Sequence, residues 1–254
     1  MKLVTDRGWA WTPAQWELLL SLGPGLGAFE PGARGGGILG TTLLTPYPEG
    51  QAISGVLVGT WAERRGVATA LVSNILDIGT HDVSVLYATG MGEPLYAKLG
   101  FHPVGEAVQH GGVFTGSATG VTRAATSADL PALIALDREV CGFSRDELWA
   151  RSAYALRVAE FASGLGLIGT RVVGDRLAIG PLIAPTAADA CAMISDVAAG
   201  AGPVRMDVIG QEVADFVCAN GFENYGGCAL MIRGATAPPG DRSRYFAPAS
   251  WALG

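Results

Sequence analysis

The chain has 254 residues, of which 49% are apolar and 16% are charged, and its formal net charge is −6. This composition is typical of a well-cored globular protein, and the length favours two domains. It excludes a disordered chain, and the negative charge argues against non-specific binding of nucleic acid.

The positions of the cysteines and histidines and the hydropathy of the chain exclude further classes of protein. The four cysteines all fall in the second half without a Cys-x-x-Cys pair, and the three histidines show no zinc-ligand spacing. No apolar run reaches the roughly 18 residues of a membrane span, and the N-terminal residues lack the apolar core of a signal peptide. We therefore expect a soluble cytoplasmic protein with no metal and no membrane partner. Nothing in the sequence indicates the oligomeric state.

The first elements in chain order are a helix and two strands. Thr12-Pro13-Ala14-Gln15 forms a capping box, which predicts a helix that ends near Gly23. Apolar runs predict strands over 26–30 and 38–44. Turns rich in glycine and proline follow them, at 31–37 and 46–50.

The most informative stretch is a strand, a tight turn and a helix start. An apolar strand over 52–58 ends in Leu57 and Val58, and a helical pattern covers 67–78. Free N–H groups and the positive helix dipole at such a start bind anions, most often phosphate. The turn and first helical residues that would form this anion site are Arg64, Arg65, Gly66, Val67, Ala68 and Thr69.

The rest of the first half completes a mixed α/β sheet. The pattern predicts a strand over 83–88, a helix over 92–99 and a pair of strands over 101–105 and 110–116. Small and polar residues fill 116–127, where we place the boundary between two domains.

A second motif follows the strand at 83–88: Gly92-Glu-Pro-Leu-Tyr-Ala-Lys-Leu-Gly-Phe101. In this order and separation, it and the turn at Arg64–Thr69 resemble the GNAT superfamily of acetyl-CoA-dependent N-acetyltransferases. The resemblance implies that the turn and the end of the strand, Leu57 and Val58, bind acetyl-CoA. It also implies that Thr89 contacts the CoA arm and that Tyr96 protonates the leaving thiolate. The alternatives without a functional role are that Thr89 caps a helix and that Tyr96 is an aromatic residue of the core.

One position departs from the superfamily pattern. Glu63 stands where Gln or Arg is usual. Because backbone N–H groups do most of the pyrophosphate binding, we expect the affinity for CoA to be reduced at most.

The second half repeats the first. At an offset of 121 positions, the sequence aligns without a gap from Val58 to Phe101, with Val83 on Val204 and Gly100-Phe101 on Gly221-Phe222. The chemistry is not repeated, since Gly66 becomes Ala187, Ala68 becomes Asp189 and Tyr96 becomes Val217. We therefore predict two tandem GNAT-fold domains, an acetyl-CoA-binding domain at 1–119 and a degenerate one at 120–234, followed by a tail at 235–254.

The halves differ at their starts. A strand over 120–124 and a helix over 129–140 open the second half, before a helix with a second capping box, Ser144 to Glu147. The first half has only residues 1–11 for the corresponding first strand and helix. We expect this domain to lack both, through a truncated or wrongly assigned start.

Four residues are candidates for contact with the acceptor substrate. Trp9 belongs to a tryptophan cluster, and Phe143 lies in the loop before the second capping box. Asp137 and Asp146 could reach the cleft of the first domain as a base if the halves pack face to face. Core packing for the aromatic residues and surface exposure for the carboxylates remain the alternatives.

These features predict acetyl transfer from acetyl-CoA to the amine of a small molecule. Direct attack would occur in a ternary complex, with Tyr96 as general acid. A non-catalytic acyl-CoA-binding sensor is the alternative that Glu63 and the absence of a carboxylate on strand 52–58 suggest. A peptide or protein N-acetyltransferase is a third possibility, against which a covering second domain argues.

Overall fold

The computed structural model describes residues 2–9, 11–31 and 37–254. The helices in this part are α1 Lys2–Asp6, α2 Pro13–Leu22, α3 Val67–Ile78, α4 Glu93–Lys98, α5 Leu130–Cys141, α6 Asp146–Arg151, α7 Ala187–Ala198 and α8 Gln211–Ala219. The strands are β1 Gly25–Phe29, β2 Ile38–Tyr47, β3 Gly50–Val58, β4 Ser84–Ala88, β5 His102–Val113, β6 Arg123–Ala124, β7 Ala155–Phe161, β8 Gly164–Val173, β9 Arg176–Ile183, β10 Pro203–Val208, β11 Phe222–Arg233 and β12 Tyr245–Ala247. The predicted turn at 31–37 lies largely outside the described residues.

The strands form one mixed sheet that runs through both halves of the chain. Its order is β1-β2-β3-β4-β11-β5-β10-β9-β8-β7-β6, and β12 pairs with β9. The mixed α/β fold expected from the sequence is confirmed. The sheet is continuous, so the division into two domains at residue 119 stays a prediction.

The two halves exchange their last long strands. β11 of the second half pairs with β4 from Ala229↔Ala88 to Arg233↔Ser84, and β5 of the first half pairs with β10 from Pro203↔Val113. β5 and β11 also pair with each other at the centre of the sheet. Each half therefore completes its sheet with a strand from the other half.

Local side-chain caps set some of the helix starts, at Thr12 and Thr186. The capping box of α2 is confirmed, because Thr12 Oγ1 accepts from the Gln15 N–H at 3.3 Å and Gln15 Oε1 accepts from the Thr12 N–H at 2.8 Å. The second predicted capping box is wrong. Ser144 instead donates its N–H and hydroxyl to Glu49, so α6 begins one residue later without a side-chain cap.

The turn predicted at 46–50 is present in a shorter form, because β2 and β3 are joined by a two-residue turn at 48–49. The pair of strands predicted over 101–105 and 110–116 is wrong, since one strand, β5, covers most of both ranges. The reason is long-range pairing. β11 pairs with β5 from His102 to Gly112 and β10 pairs with it from Val108 to Val113, and these ladders override the turn tendency of its glycines.

The number of positions that separates equivalent residues of the two halves differs between the strands and the helices. β3 has a bulge at Gly55 and β9 has one at Gly180, since the pairing with β2 and β8 shifts at these residues. These glycines are 125 positions apart, so the gapless alignment from Val58 is wrong. The first half therefore has a longer connection between its bulged strand and the next helix, and this connection contains Arg64 and Arg65.

Side chains alternate between two faces of the first-half sheet. On one face, Ile53 and Leu86 pack against Val72 and Ile75 of α3. The other face, which carries Ala52, Val85 and Tyr87, packs against Phe143 and is contacted by the C-terminal residues. We name these the α3 face and the tail face.

The two outer edges of the sheet differ. β6 pairs with β7 at one edge, and among the described residues no strand pairs with the outer side of β1 at the other. A groove of about 600 Å³ runs along β1 beside α3. In the part of the chain that the structure describes, no helix is long and apolar enough to cross a membrane.

We predict that the two halves unfold as one unit, because each sheet needs a strand from the other half. Scanning calorimetry of the whole chain should give one transition, with a van't Hoff enthalpy close to the calorimetric enthalpy. A fragment of residues 1–119 should show no cooperative unfolding. Two separate transitions in the whole chain would contradict this prediction.

Candidate functional site

A slot opens between β3 and β4. The two parallel strands pair only at Gln51↔Ser84 and Ala52↔Val85, and then part. β3 continues to Val58 after the bulge at Gly55, whose φ is +58°. The Gly59 N–H donates to Leu39 of β2, so the preceding residue, Val58, directs its N–H and carbonyl away from β2, toward the slot.

The slot leads to the start of α3, which has the features of an anion site. Gly66 is the N-cap at φ +77° and ψ +4°, with no side-chain cap, and the first intrahelical donor after it is Ala70 N–H to Gly66 O at 2.9 Å. The N–H groups of Val67, Ala68 and Thr69 therefore face outward at the positive end of the helix. A Cβ on Gly66 would meet nothing within 4 Å, so the turn is open to a ligand.

Ion pairs flank this turn. Arg65 contacts Glu30 at 3.2 Å in an exposed pair, and Arg64 has a φ of +57°, which is uncommon outside glycine. Glu63 pairs with Arg7 at 2.7 Å, so its charge is compensated beside the slot. The residues predicted to bind the pyrophosphate are thus brought together at one turn.

Arg7 was missed by sequence reasoning. Its Nε donates to the carbonyl of Val58 at 2.6 Å, and Asp6 accepts from the N–H of Thr60 at 2.8 Å. The end of α1 is therefore attached to the end of β3. The two motifs that carry the family resemblance lie far from Arg7 in the sequence, so neither of them pointed to this residue.

Tyr96 is the buried residue of α4, and its side chain packs in the core of the α3 face. It is 7% exposed and packs edge-to-face on Phe101 at a centroid distance of 6.0 Å. Burial raises the pKa of its hydroxyl to about 12, and Cys228 adds to the rise. The hydroxyl is therefore protonated at neutral pH and is able to donate a proton. Thr89 is exposed at the end of β4, and its carbonyl accepts from the N–H groups of Gly92 and Glu93.

The equivalent slot in the second half is filled by the chain itself. β12 pairs with Leu182 and Ile183 of β9, and Phe246 O accepts from the N–H of Ile209 after β10 at 2.8 Å. At the start of α7, Thr186 caps the helix and Asp189 accepts from the Thr186 hydroxyl at 2.8 Å. A capped, acidic helix start and a filled slot do not suit a phosphate ligand.

The candidate acceptor residues have varied surroundings. Trp9 packs beside Trp11 in a cluster that covers Leu57 at the end of β3. Phe143 is fully buried and stacks on Tyr47 at 5.0 Å. Asp146 is exposed and pairs with Arg138.

Asp137 is held by three donors. It is 1% exposed and accepts from Arg145 Nε at 3.0 Å, from Arg145 Nη2 and from Trp149 Nε1 at 2.9 Å. A carboxylate with these bonds serves the packing of α5 against α6, and these contacts favour a structural role over that of a base.

Several polar atoms on the tail face were not anticipated from the sequence. Ser54 and Tyr87 lie there where β3 and β4 part, two positions after Ala52 and Val85 on their strands. Trp251 stacks on Tyr87, with ring centroids 6.5 Å apart. Strand alternation in 83–88 could have placed Tyr87, but the position of the C-terminal residues depends on the tertiary fold.

Comparison with known proteins finds a similarity to one family in the second half. Residues 133–247 match the family model of the acetyltransferase (GNAT) domain. The GNAT match covers the half whose slot is filled, and no curated protein sequence matches the chain.

Solved structures extend the GNAT fold to both halves. A proposed acetyltransferase from Pyrococcus horikoshii has a TM-score of 0.78 at 19% identity, over 95% of this chain and 84% of that one. A GCN5-related N-acetyltransferase from Anabaena variabilis has a TM-score of 0.56 at 12% identity, over 91% and 68%. One from Sphaerobacter thermophilus has 0.53 at 14% identity, over 81% and 79%. The likeness shows a shared fold.

We predict that Gly66→Glu abolishes the binding of acetyl-CoA, because a carboxylate at the start of α3 repels the pyrophosphate and the left-handed φ disfavours a side chain. Ala188→Glu, on the exposed first turn of α7, is the matched control and should bind as the unmodified protein does. Titration calorimetry measures both variants. Equal loss in both would place the binding site elsewhere.

We predict that Asp137→Ala lowers the free energy of unfolding by about 3–5 kcal/mol, because it leaves Arg145 buried without its partner. Asp146→Ala, which removes an exposed ion pair, should cost about 1 kcal/mol or less. Urea unfolding measures both. A stable Asp137→Ala protein with a much lower kcat would instead support Asp137 as a base.

Proposed function

We propose that this protein transfers an acetyl group from acetyl-CoA to the amine of a small molecule, by direct attack in a ternary complex. The observation that carries the proposal is the open slot between β3 and β4, which ends at the uncapped start of α3. The GNAT match and the GNAT-like fold support acyl transfer from acetyl-CoA as the chemistry.

The proposed role of each residue follows from its position in the site. The N–H groups at Gly66–Thr69 would hold the pyrophosphate, and Arg64 beside them would add positive charge. The backbone at the end of β3 would polarise the thioester carbonyl, since the N–H of Val58 points into the slot. Thr89, at the end of β4, is placed to contact the CoA arm.

Tyr96 would protonate the departing thiolate. Its hydroxyl belongs to the α3 face, the side on which α3 presents the anion site, and its raised pKa keeps it in the protonated form. A thiolate is a weaker base than a phenolate with a pKa of about 12, so Tyr96 would transfer its proton late, as the C–S bond of the thioester breaks and charge develops on the sulfur.

The second half would close the acceptor side. Phe143 packs on the tail face and Trp251 stacks on Tyr87, so the first-half sheet is covered where an acceptor would approach. A covered face suits a small molecule better than a protein chain, which disfavours a peptide or protein N-acetyltransferase.

A non-catalytic acyl-CoA-binding protein is the second candidate. The observation that favours it is the position of Arg7. Its side chain donates to the Val58 carbonyl inside the slot and pairs with Glu63, next to the turn before α3. Titration with acetyl-CoA, followed by an amine panel with detection of free thiol, separates the two candidates. Binding with thiol release supports transfer, and binding without release across the panel supports the sensor.

We predict that Tyr96→Phe lowers kcat by about ten- to ten-thousand-fold, the span of a general acid, while acetyl-CoA binding stays nearly unchanged. Tyr225→Phe, which alters an exposed tyrosine on β11, is the matched control. Steady-state kinetics and calorimetry measure the two effects separately. An unchanged kcat in Tyr96→Phe would remove this residue from the mechanism.

A further inference from the structure

Buried polar atoms without partners gather on the tail face of the first-half sheet. Within the described residues, no hydrogen-bond partner exists for Tyr87 OH, Ser54 Oγ, Trp251 Nε1 or the three guanidinium nitrogens of Arg242. Buried donors are almost always satisfied, because an unsatisfied one costs about 1–3 kcal/mol and a charged one costs more. A group of them in one place points to a ligand.

These atoms are close to one another. Trp251 stacks on Tyr87, and the Arg242 guanidinium lies over the Tyr245 ring with its Cζ 5.1 Å from the ring centroid. Burial raises the pKa of the Tyr87 hydroxyl well above its usual range, and the charge of Arg242 opposes that rise. The Tyr245 hydroxyl accepts from the N–H of Ala249 at 3.3 Å, two residues before Trp251, so the segment that carries Trp251 lies against the tyrosine under Arg242.

Arg242 differs from the other arginines around it. Arg145 is paired with Asp137, and Arg205 lies 3.3 Å from Asp207. Within the described residues, Arg242 has no carboxylate within 4 Å, and all three of its guanidinium nitrogens are buried. A buried guanidinium without an anion is costly, and the tyrosine ring beneath it compensates only part of that cost.

We propose that Arg242, Tyr87 and Trp251 bind a carboxylate of the acceptor, so that the substrate is an amine that also carries a carboxyl group. One guanidinium and two neutral donors match the single charge and planar oxygens of a carboxylate. Tyr87 lies where β3 and β4 part, so an acceptor held there would direct its amine toward the slot.

A monoanion suits this site better than a phosphate ester. A phosphate carries close to two charges and usually meets several cations or a helix start, whereas Arg242 is the one guanidinium here whose nitrogens all lack partners among the described residues. Phosphate-bearing amines are therefore a separate arm of the test. This inference rests on the proposed acetyl transfer, and the experiment below distinguishes the failure of each.

The experiment compares matched acceptors. A panel of amino acids, their carboxamides and aminoalkyl phosphates is assayed for acetylation by the whole protein. We expect kcat/KM to be about ten- to a hundredfold higher for the carboxylates than for the carboxamides, the usual worth of a charge-assisted hydrogen bond. Arg242→Gln should remove this preference by raising KM for the carboxylates, with values for the carboxamides within about twofold.

Two further variants protect the test against a folding defect in Arg242→Gln. Tyr87→Phe should lower the preference several-fold through loss of one donor. Arg176→Gln, at the exposed first residue of β9, should leave the preference intact. The proposal is overturned if Arg242→Gln keeps the preference, or if the unmodified protein prefers the carboxamides or the phosphates.

A binding assay covers the case in which no amine is acetylated. N-acetyl amino acids and their carboxamides are then compared by their effect on the unfolding temperature. Stabilisation of the unmodified protein by the carboxylates alone, lost in Arg242→Gln, would keep the anion site while the proposed transfer fails. Equal effects of both series would overturn the anion site.

Discussion

The pairing of β5 with β11 holds the molecule together. These strands lie at the centre of the sheet, and each comes from the half opposite to the one whose sheet it completes. The slot between β3 and β4 depends on this arrangement, because β4 can leave β3 only while β11 satisfies its other edge. The proposed site is therefore a property of the whole chain, although its motif residues lie in the first half.

The two slots show how one fold can support different chemistry. In the first half a glycine starts the helix and leaves its N–H groups outward, whereas in the second half Thr186 and Asp189 satisfy and oppose them. The difference is a few side chains and a longer connection after β3. Fold likeness covers both halves, so the argument for function rests on these local features.

Much of the fold was predictable because local signals agree with the tertiary structure. The helix over Val67–Ile78 and the capping box at Thr12 follow from spacing and cap chemistry. The predictions failed where a distant residue competes, as when Glu49 takes the hydroxyl of Ser144 or when β10 and β11 straighten β5. Among the candidate site residues, those of the turn from Arg64 to Thr69 were visible in the sequence as a motif. Arg7, Tyr87 and Arg242 were not, because their roles depend on contacts between segments far apart in the chain.

The strand β12 shows how a slot beside a strand can be filled by the chain itself. A slot between parted strands presents backbone donors and acceptors that need partners, and any chain of amides can supply them. In the second half these partners are peptide groups of the same molecule, at Arg244 and Phe246. Because this substitute belongs to the same chain, it pairs intramolecularly and cannot be diluted away. The backbone of β9 is therefore paired within the folded chain, independent of the supply of any metabolite.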